Sequence, residues 1–94
     1  MPSVAVIVAE LHIPGTRSLK EKRSVVKGAV DRLHQRLRVS VAETGLLDKH
    51  QRSELTIAVV LTSFSSRSEE LRRLLETDPG LVITAWDAEI IDLM

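Results

Sequence analysis

The residues with the most chemistry to offer lie near the start of the chain. Leu11-His12-Ile13-Pro14-Gly15-Thr16-Arg17-Ser18 joins a valine-rich run to an amphipathic one. Gly15 permits a tight turn and Pro14 stiffens it. The chain is thereby delivered to a helix N-terminus, where free N–H groups and the helix dipole favour an anion. Arg17 can reach the same point with a two-pronged guanidinium. Further on, at about 100° per residue, Lys20, Arg23, Lys27 and His34 fall within an arc of about 60° on one helix face. Asp31 lies at the margin of the arc and partly offsets it, and Arg38 would extend it if the helix ran that far. Such a stripe matches the spacing of phosphates along a nucleic-acid backbone. The plain alternative is a solvated face whose stems lie over the core.

Other constellations are lacking. His12, His34 and His50 belong to three different elements and form no His-x-x-x-His or similar ligand pair, so no metal site is expected. The chain has no cysteine, which removes disulfides and thiolate metal sites. It has no Gly-x-Ser-x-Gly elbow and no Walker or dinucleotide glycine pattern, so neither catalytic residues nor a cofactor are expected. Phe64 and Trp86 are the only aromatics. An RNA-recognition sheet stacks bases on aromatics of its central strands. Apart from Phe64 at the far end of the third strand, the strands expected at the centre offer aliphatics and threonine. Nucleic-acid contact would therefore run along the helix and its loop, and would follow phosphate and shape more than sequence.

What positions these residues follows from length and patterning. A chain of 94 residues makes one domain, 1–94, with a modest core. Hydrophobic residues make up 44% of it at zero net charge, too many for a disordered chain. The zero total argues against a whole-protein nucleic-acid coat, but it hides an asymmetry. Residues 17–38 hold eight basic residues against Glu21 and Asp31, a net +6, whereas residues 67–94 come to −4. No apolar run approaches the roughly 18 residues of a membrane span. The N-terminal run stops at Glu10 and has no basic lead, so it reads as a strand and not as a signal peptide.

Residues 3–11, apolar on both faces, form a strand for the middle of a sheet. Ser18-Leu19-Lys20-Glu21 is a capping box, in which the serine bonds the Glu21 N–H and the glutamate bonds back. The helix it opens begins near Leu19 and ends near Leu37, with Leu19, Val26, Val30, Leu33 and Leu37 as its apolar stripe. Residues 39–44 alternate as a strand with one polar face, and 45–51 connect it to a third strand carrying Leu55, Ile57, Val59 and Leu61. Ser66-Arg67-Ser68-Glu69 is a second capping box, opening a helix with Leu71, Leu74 and Leu75 that Asp78-Pro79-Gly80 stops. Residues 81–93 form a fourth strand, whose apolar phase needs a bulge near Asp87–Ala88.

The order β-α-β-β-α-β is the ferredoxin-like α/β (α+β) arrangement: a four-stranded antiparallel sheet with two helices on one face. It separates Glu10 from Glu43, which would meet only if the first two strands were neighbours. Its other sheet face stays open and is not very polar, which suits a second copy of the chain.

The block His12-Ile13-Pro14-Gly15-Thr16-Arg17-Ser18-Leu19-Lys20-Glu21-Lys22-Arg23-Ser24-Val25-Val26-Lys27 resembles the bacterial YlxP-like family, a domain of unknown function. Val39-Ser40-Val41-Ala42-Glu43 and Gln51-Arg52-Ser53-Glu54-Leu55 are similar to its later blocks, and the last third of the chain matches more loosely. The chain departs from the family at His50, where tryptophan is common. The resemblance implies a ferredoxin-like fold and a cytoplasmic bacterial protein. It also implies a gene lying among translation and ribosome-maturation genes, and it brings no catalytic residue with it.

Together these readings lead to an accessory protein that binds structured RNA or the ribosome. Arg17, Lys20, Arg23, Lys27 and His34 would contact phosphates, with Arg52 added to the set. The alternatives are a dimeric interaction or ligand-sensing module without catalysis, and a small phosphatase-like enzyme. The last is suggested by the arginine-bearing loop of acylphosphatases, which share this element order. Their mechanism needs an asparagine to orient water, and this chain has none.

Overall fold

The computed structural model describes residues 2–61 and 67–92. Six elements follow in order: β1 (Ser3–His12), α1 (Leu19–Leu37), β2 (Ser40–Gly45), β3 (Arg52–Leu61), α2 (Arg67–Glu76) and β4 (Val82–Asp92). The strands form one antiparallel sheet in the order β2-β3-β1-β4. This is the ferredoxin-like arrangement, and it keeps Glu10 on β1 and Glu43 on β2 apart, with β3 between them. The second capping box begins at Ser66, and that residue, like Phe64, lies outside the described residues.

β1 and β3 pair along their whole length, from Ser3 with Leu61 to His12 with Arg52. Because side chains alternate, Ala5, Ile7, Ala9 and Leu11 point to the same face as Ser53, Leu55, Ile57 and Val59. All eight are buried. Val26, Ala29 and Leu33 of α1, Leu71 and Leu75 of α2, and Ile13, Val39, Val41 and Leu81 complete this core. β3 starts three residues before its apolar alternation does, since Ser53 takes a core-facing place opposite Leu11.

The buried side of α1 differs from the expected stripe. Lys22, Val26, Ala29 and Leu33 are buried, whereas Leu19, Val30 and Leu37 are only half-buried. The helix is rolled so that Lys22 and Ala29 face the sheet, which tips Lys20, Arg23 and Lys27 further towards solvent. The helix ends where expected, and Arg38 caps it in the left-handed region (φ 52°), its N–H donating to the His34 carbonyl at 3.1 Å. Arg38 therefore does not extend the cationic stripe.

The fourth strand needs the expected bulge, but in another place. Glu10 pairs with Ala85 and Leu11 with Ile83, so Thr84 is the extra residue. Asp87 and Ala88 pair regularly with Val8 and Ile7. The Thr84 hydroxyl donates to the Glu10 carbonyl at 3.1 Å. The shift brings Ile83 and Trp86 to the core side, where both pack on it. Alanines at 85 and 88 mark neither face strongly, so alternation alone misplaced the bulge. A second irregularity makes Thr44 extra on β2 and sets Gly45 opposite Glu54. A Cβ at Gly45 would collide with the Glu54 carboxylate.

Candidate functional site

The loop between β1 and α1 is built as a fixed platform. The buried Ile13 donates its N–H to the Gln51 carbonyl at 2.7 Å. The Thr16 hydroxyl, also buried, lies 2.9 Å from the Ile13 carbonyl and 2.6 Å from the His50 carbonyl. Gln51 returns a side-chain N–H to the Thr16 carbonyl at 3.1 Å. Gly15 has φ +87° with open space around it, so its backbone angle, not crowding, calls for glycine. The 13–16 turn and the 50–51 connection thus hold each other in place, and Arg17 leaves this platform exposed.

Ser18 caps α1 in an extended conformation, its oxygen accepting the Glu21 N–H at 3.1 Å. The glutamate half of the capping box closes one residue earlier than the standard pattern. Glu21 Oε2 accepts the Arg17 N–H at 2.6 Å. One donor that an anion would have used at this helix start is thereby taken by the chain's own carboxylate. An anion here would have to rely on the side chains beyond it.

Those side chains are placed as follows. Arg17, Lys20 and Arg23 are exposed and, among the described residues, have no ion pair. Lys27 is 78% exposed and pairs with Asp31 one turn on, at 3.0 Å. Such a surface pair is worth about 0.3–0.5 kcal/mol and yields readily to a stronger anion. His34 stands at the exposed end of α1, with Nδ1 2.8 Å from the Val39 carbonyl. Arg52 is brought elsewhere. Its side chain leaves the opposite, open face of the sheet and is paired with Glu10. The structure therefore sets Lys20, Arg23, Lys27 and His34 along one helix, with Arg17 on the loop just ahead of its N-cap, and leaves Arg52 on the other side of the molecule.

One charged residue escaped the sequence reading as a site. Lys22 is completely buried. Its Nζ donates to Glu43 Oε2 at 2.9 Å and to the carbonyls of Leu46 at 2.9 Å, Arg52 at 3.2 Å and Leu47 at 3.4 Å. Ser53 Oγ donates to the same carboxylate oxygen at 2.7 Å. A buried ammonium is tolerable only when its donors are satisfied and its charge is matched, and both conditions are met here. The group ties α1 to β2, β3 and the 46–51 connection, and so fixes the helix whose outer face carries the cations. A signal for it exists in the sequence. Lys22 lies four residues before Val26 on the core-facing side of α1, and Glu43 continues the inward phase of Val39 and Val41. Opposite charges that interrupt two core phases are the pattern of a buried pair.

Among the described residues, no three His, Asp or Glu side chains are grouped so that they could hold a metal ion. No described helix is long and apolar enough to cross a membrane. Trp86 lies on the helix side of the sheet with the Arg72 guanidinium 5.5 Å above its ring, so it is not presented on the open face.

Comparison with known proteins agrees with this architecture. A stretch of 58 residues is 41% identical to the uncharacterized protein YlxP of Bacillus subtilis (strain 168), covering 62% of this chain and 63% of that protein. In fold, the chain is similar to 30S ribosomal protein S6 of Thermotoga maritima, with a TM-score of 0.50 and 14% identity over 94% of this chain and 88% of that one. A family profile matches residues 4–93, and the chain belongs to that family, described as a protein of unknown function (DUF503).

Proposed function

We propose that this protein is an RNA-associated accessory factor that grips phosphate backbone with the outer face of α1. The observation that carries the reading is the exposed row Lys20, Arg23 and Lys27, held on a helix whose inner side is anchored by Lys22, with Arg17 exposed on the loop just before the N-cap. His34 lies at the far end of the same row. Cations on a rigid element can meet successive phosphates without the entropy cost of ordering a loop. The similarity in fold to a ribosomal protein supports the ribosome as the place to look for the RNA. Arg52 has no part in this grip, since it faces the other way and is paired with Glu10. The test is cosedimentation with ribosomal subunits at low salt, comparing wild type with the triple variant Lys20→Glu, Arg23→Glu, Lys27→Glu. Association of the wild type and its loss in the variant support the reading. Absence of wild-type association, or equal association of both, overturns it.

A further inference from the structure

The face turned away from α1 carries the opposite charge. In rows across β3, β1 and β4 it presents Val60-Val4-Ile91, Ala58-Val6-Glu89, Thr56-Val8-Asp87, Glu54-Glu10-Ala85 and Arg52-His12-Val82. Val60, Ile91 and Val82 are 70%, 42% and 54% exposed. Four carboxylates stand among these rows against one arginine, and Glu10 already pairs with it. Glu10, Glu54 and Asp87 also line a depression of about 240 Å³, together with Val8, Ala85 and Leu46.

β4 borders this face as an edge strand: among the described residues its one sheet neighbour is β1. Edge strands are commonly blunted by shortness, proline, charged side chains (lysine above all) or a bulge, so that other chains do not pair with them. β4 is eleven residues long and has no proline or lysine; its charges are all carboxylates, which repel an acidic strand and attract a basic one. Its one irregularity, at Thr84, leaves the stretch from Ala85 to Asp92 regular. Ala88 and Ile90 on the helix side are exposed as well.

We infer that the β4 edge accepts an extended, basic segment of a partner protein as a fifth strand, with apolar residues against Ile91 and cationic ones against Asp87 and Glu89. Main-chain bonds would supply affinity, and alternate side chains would supply selectivity. A lysine or arginine opposite Ala85 or Asp87 would enter the acidic depression beside the edge. The charges decide what kind of strand fits. Asp87, Glu89 and Asp92 are the charged residues of β4, so β4 against its own copy would align carboxylates with no cation to offset them. β2, the other edge, has Glu43 as its charged residue and is no better complement. Two open faces stacked on each other would place carboxylates on carboxylates, or on valines. A nucleic acid would be repelled.

The probe is the peptide acetyl-Val-Val-Lys-Val-Lys-Val-Lys-amide, which run antiparallel to β4 sets valine against Ile91 and lysines against Glu89, Asp87 and Ala85, with the glutamate-for-lysine peptide as control. Amide hydrogen exchange of the full chain is followed by NMR. The expected result is slowed exchange at alternate β4 amides between Ala85 and Asp92 with the lysine peptide alone. Binding should weaken at least about tenfold in Asp87→Lys, Glu89→Lys, a change made at exposed positions. Protection elsewhere than β4, no binding, or equal binding of both peptides would overturn the inference. So would β4 protection that rises with protein concentration without peptide, because a second copy would then occupy the edge. The triple α1 variant should bind the peptide normally, which keeps this test separate from that of RNA association.

Discussion

Replacing Lys22 by methionine keeps most of the stem and removes the charge. The lost interactions are the 2.9 Å pair with Glu43 and donation to three carbonyls, the nearest at 2.9 Å and the others at 3.2 and 3.4 Å. Removing one partner of a buried pair costs about 3–5 kcal/mol, because the remaining charge keeps its desolvation penalty. The Glu43 side chain is 16% exposed and keeps its bond from Ser53, so part of its charge can be recovered by water. The carbonyls of Leu46 and Leu47 lie in a connection that can turn outward. These reliefs argue against adding the full cost of orphaned acceptors, and about 3–5 kcal/mol stands as the whole effect. A chain of 94 residues has roughly 5–14 kcal/mol of stability in total. The melting temperature should therefore fall by at least about 12 °C. The assay is urea unfolding followed by circular dichroism, with the double variant Lys22→Met, Glu43→Leu beside it. The double variant should recover much of the loss, since neither charge is then left without the other. A single variant within about 1 kcal/mol of wild type, or a double variant less stable than Lys22→Met alone, would contradict a buried, charge-matched ammonium.

Two further changes probe the platform and the core. Gly15→Ala forces a Cβ into φ +87° and should cost about 1 kcal/mol or more in denaturant unfolding. Leu33→Ala empties a fully buried site between α1 and the sheet and should cost about 2–5 kcal/mol by the same measurement.

Strand and helix order were legible because the strong signals were local. The short valine-rich run of β1, the Ser18–Glu21 cap and the Pro79-Gly80 stop each act within a few residues, and the elements they imply are present. What was hidden depends on contacts distant in sequence. The roll of α1 is set by the Lys22 ammonium finding Glu43 and the 46–52 carbonyls, so a stripe drawn through leucines and valines alone pointed to its flank. The bulge at Thr84 is set by pairing with Glu10 and Leu11, and no single-strand pattern records its partner's register. The candidate cations were legible by helical angle, because charges on a regular helix need no tertiary information to share a face. Arg52 could not be placed that way, since only the pairing of β3 with β1 sets it beside Glu10.

The sharpest test of the phosphate grip is the salt dependence of RNA binding. Affinity for a structured ribosomal RNA fragment is measured by filter binding over a series of salt concentrations. Arg17, Lys20, Arg23 and Lys27 together would neutralise about three or four phosphates, giving a slope of log affinity against log salt of about −2 to −4. The Lys20→Glu, Arg23→Glu, Lys27→Glu variant should lose most of that slope. A slope near zero for the wild type, or one unchanged in the variant, would contradict the claim that the outer face of α1 grips phosphate.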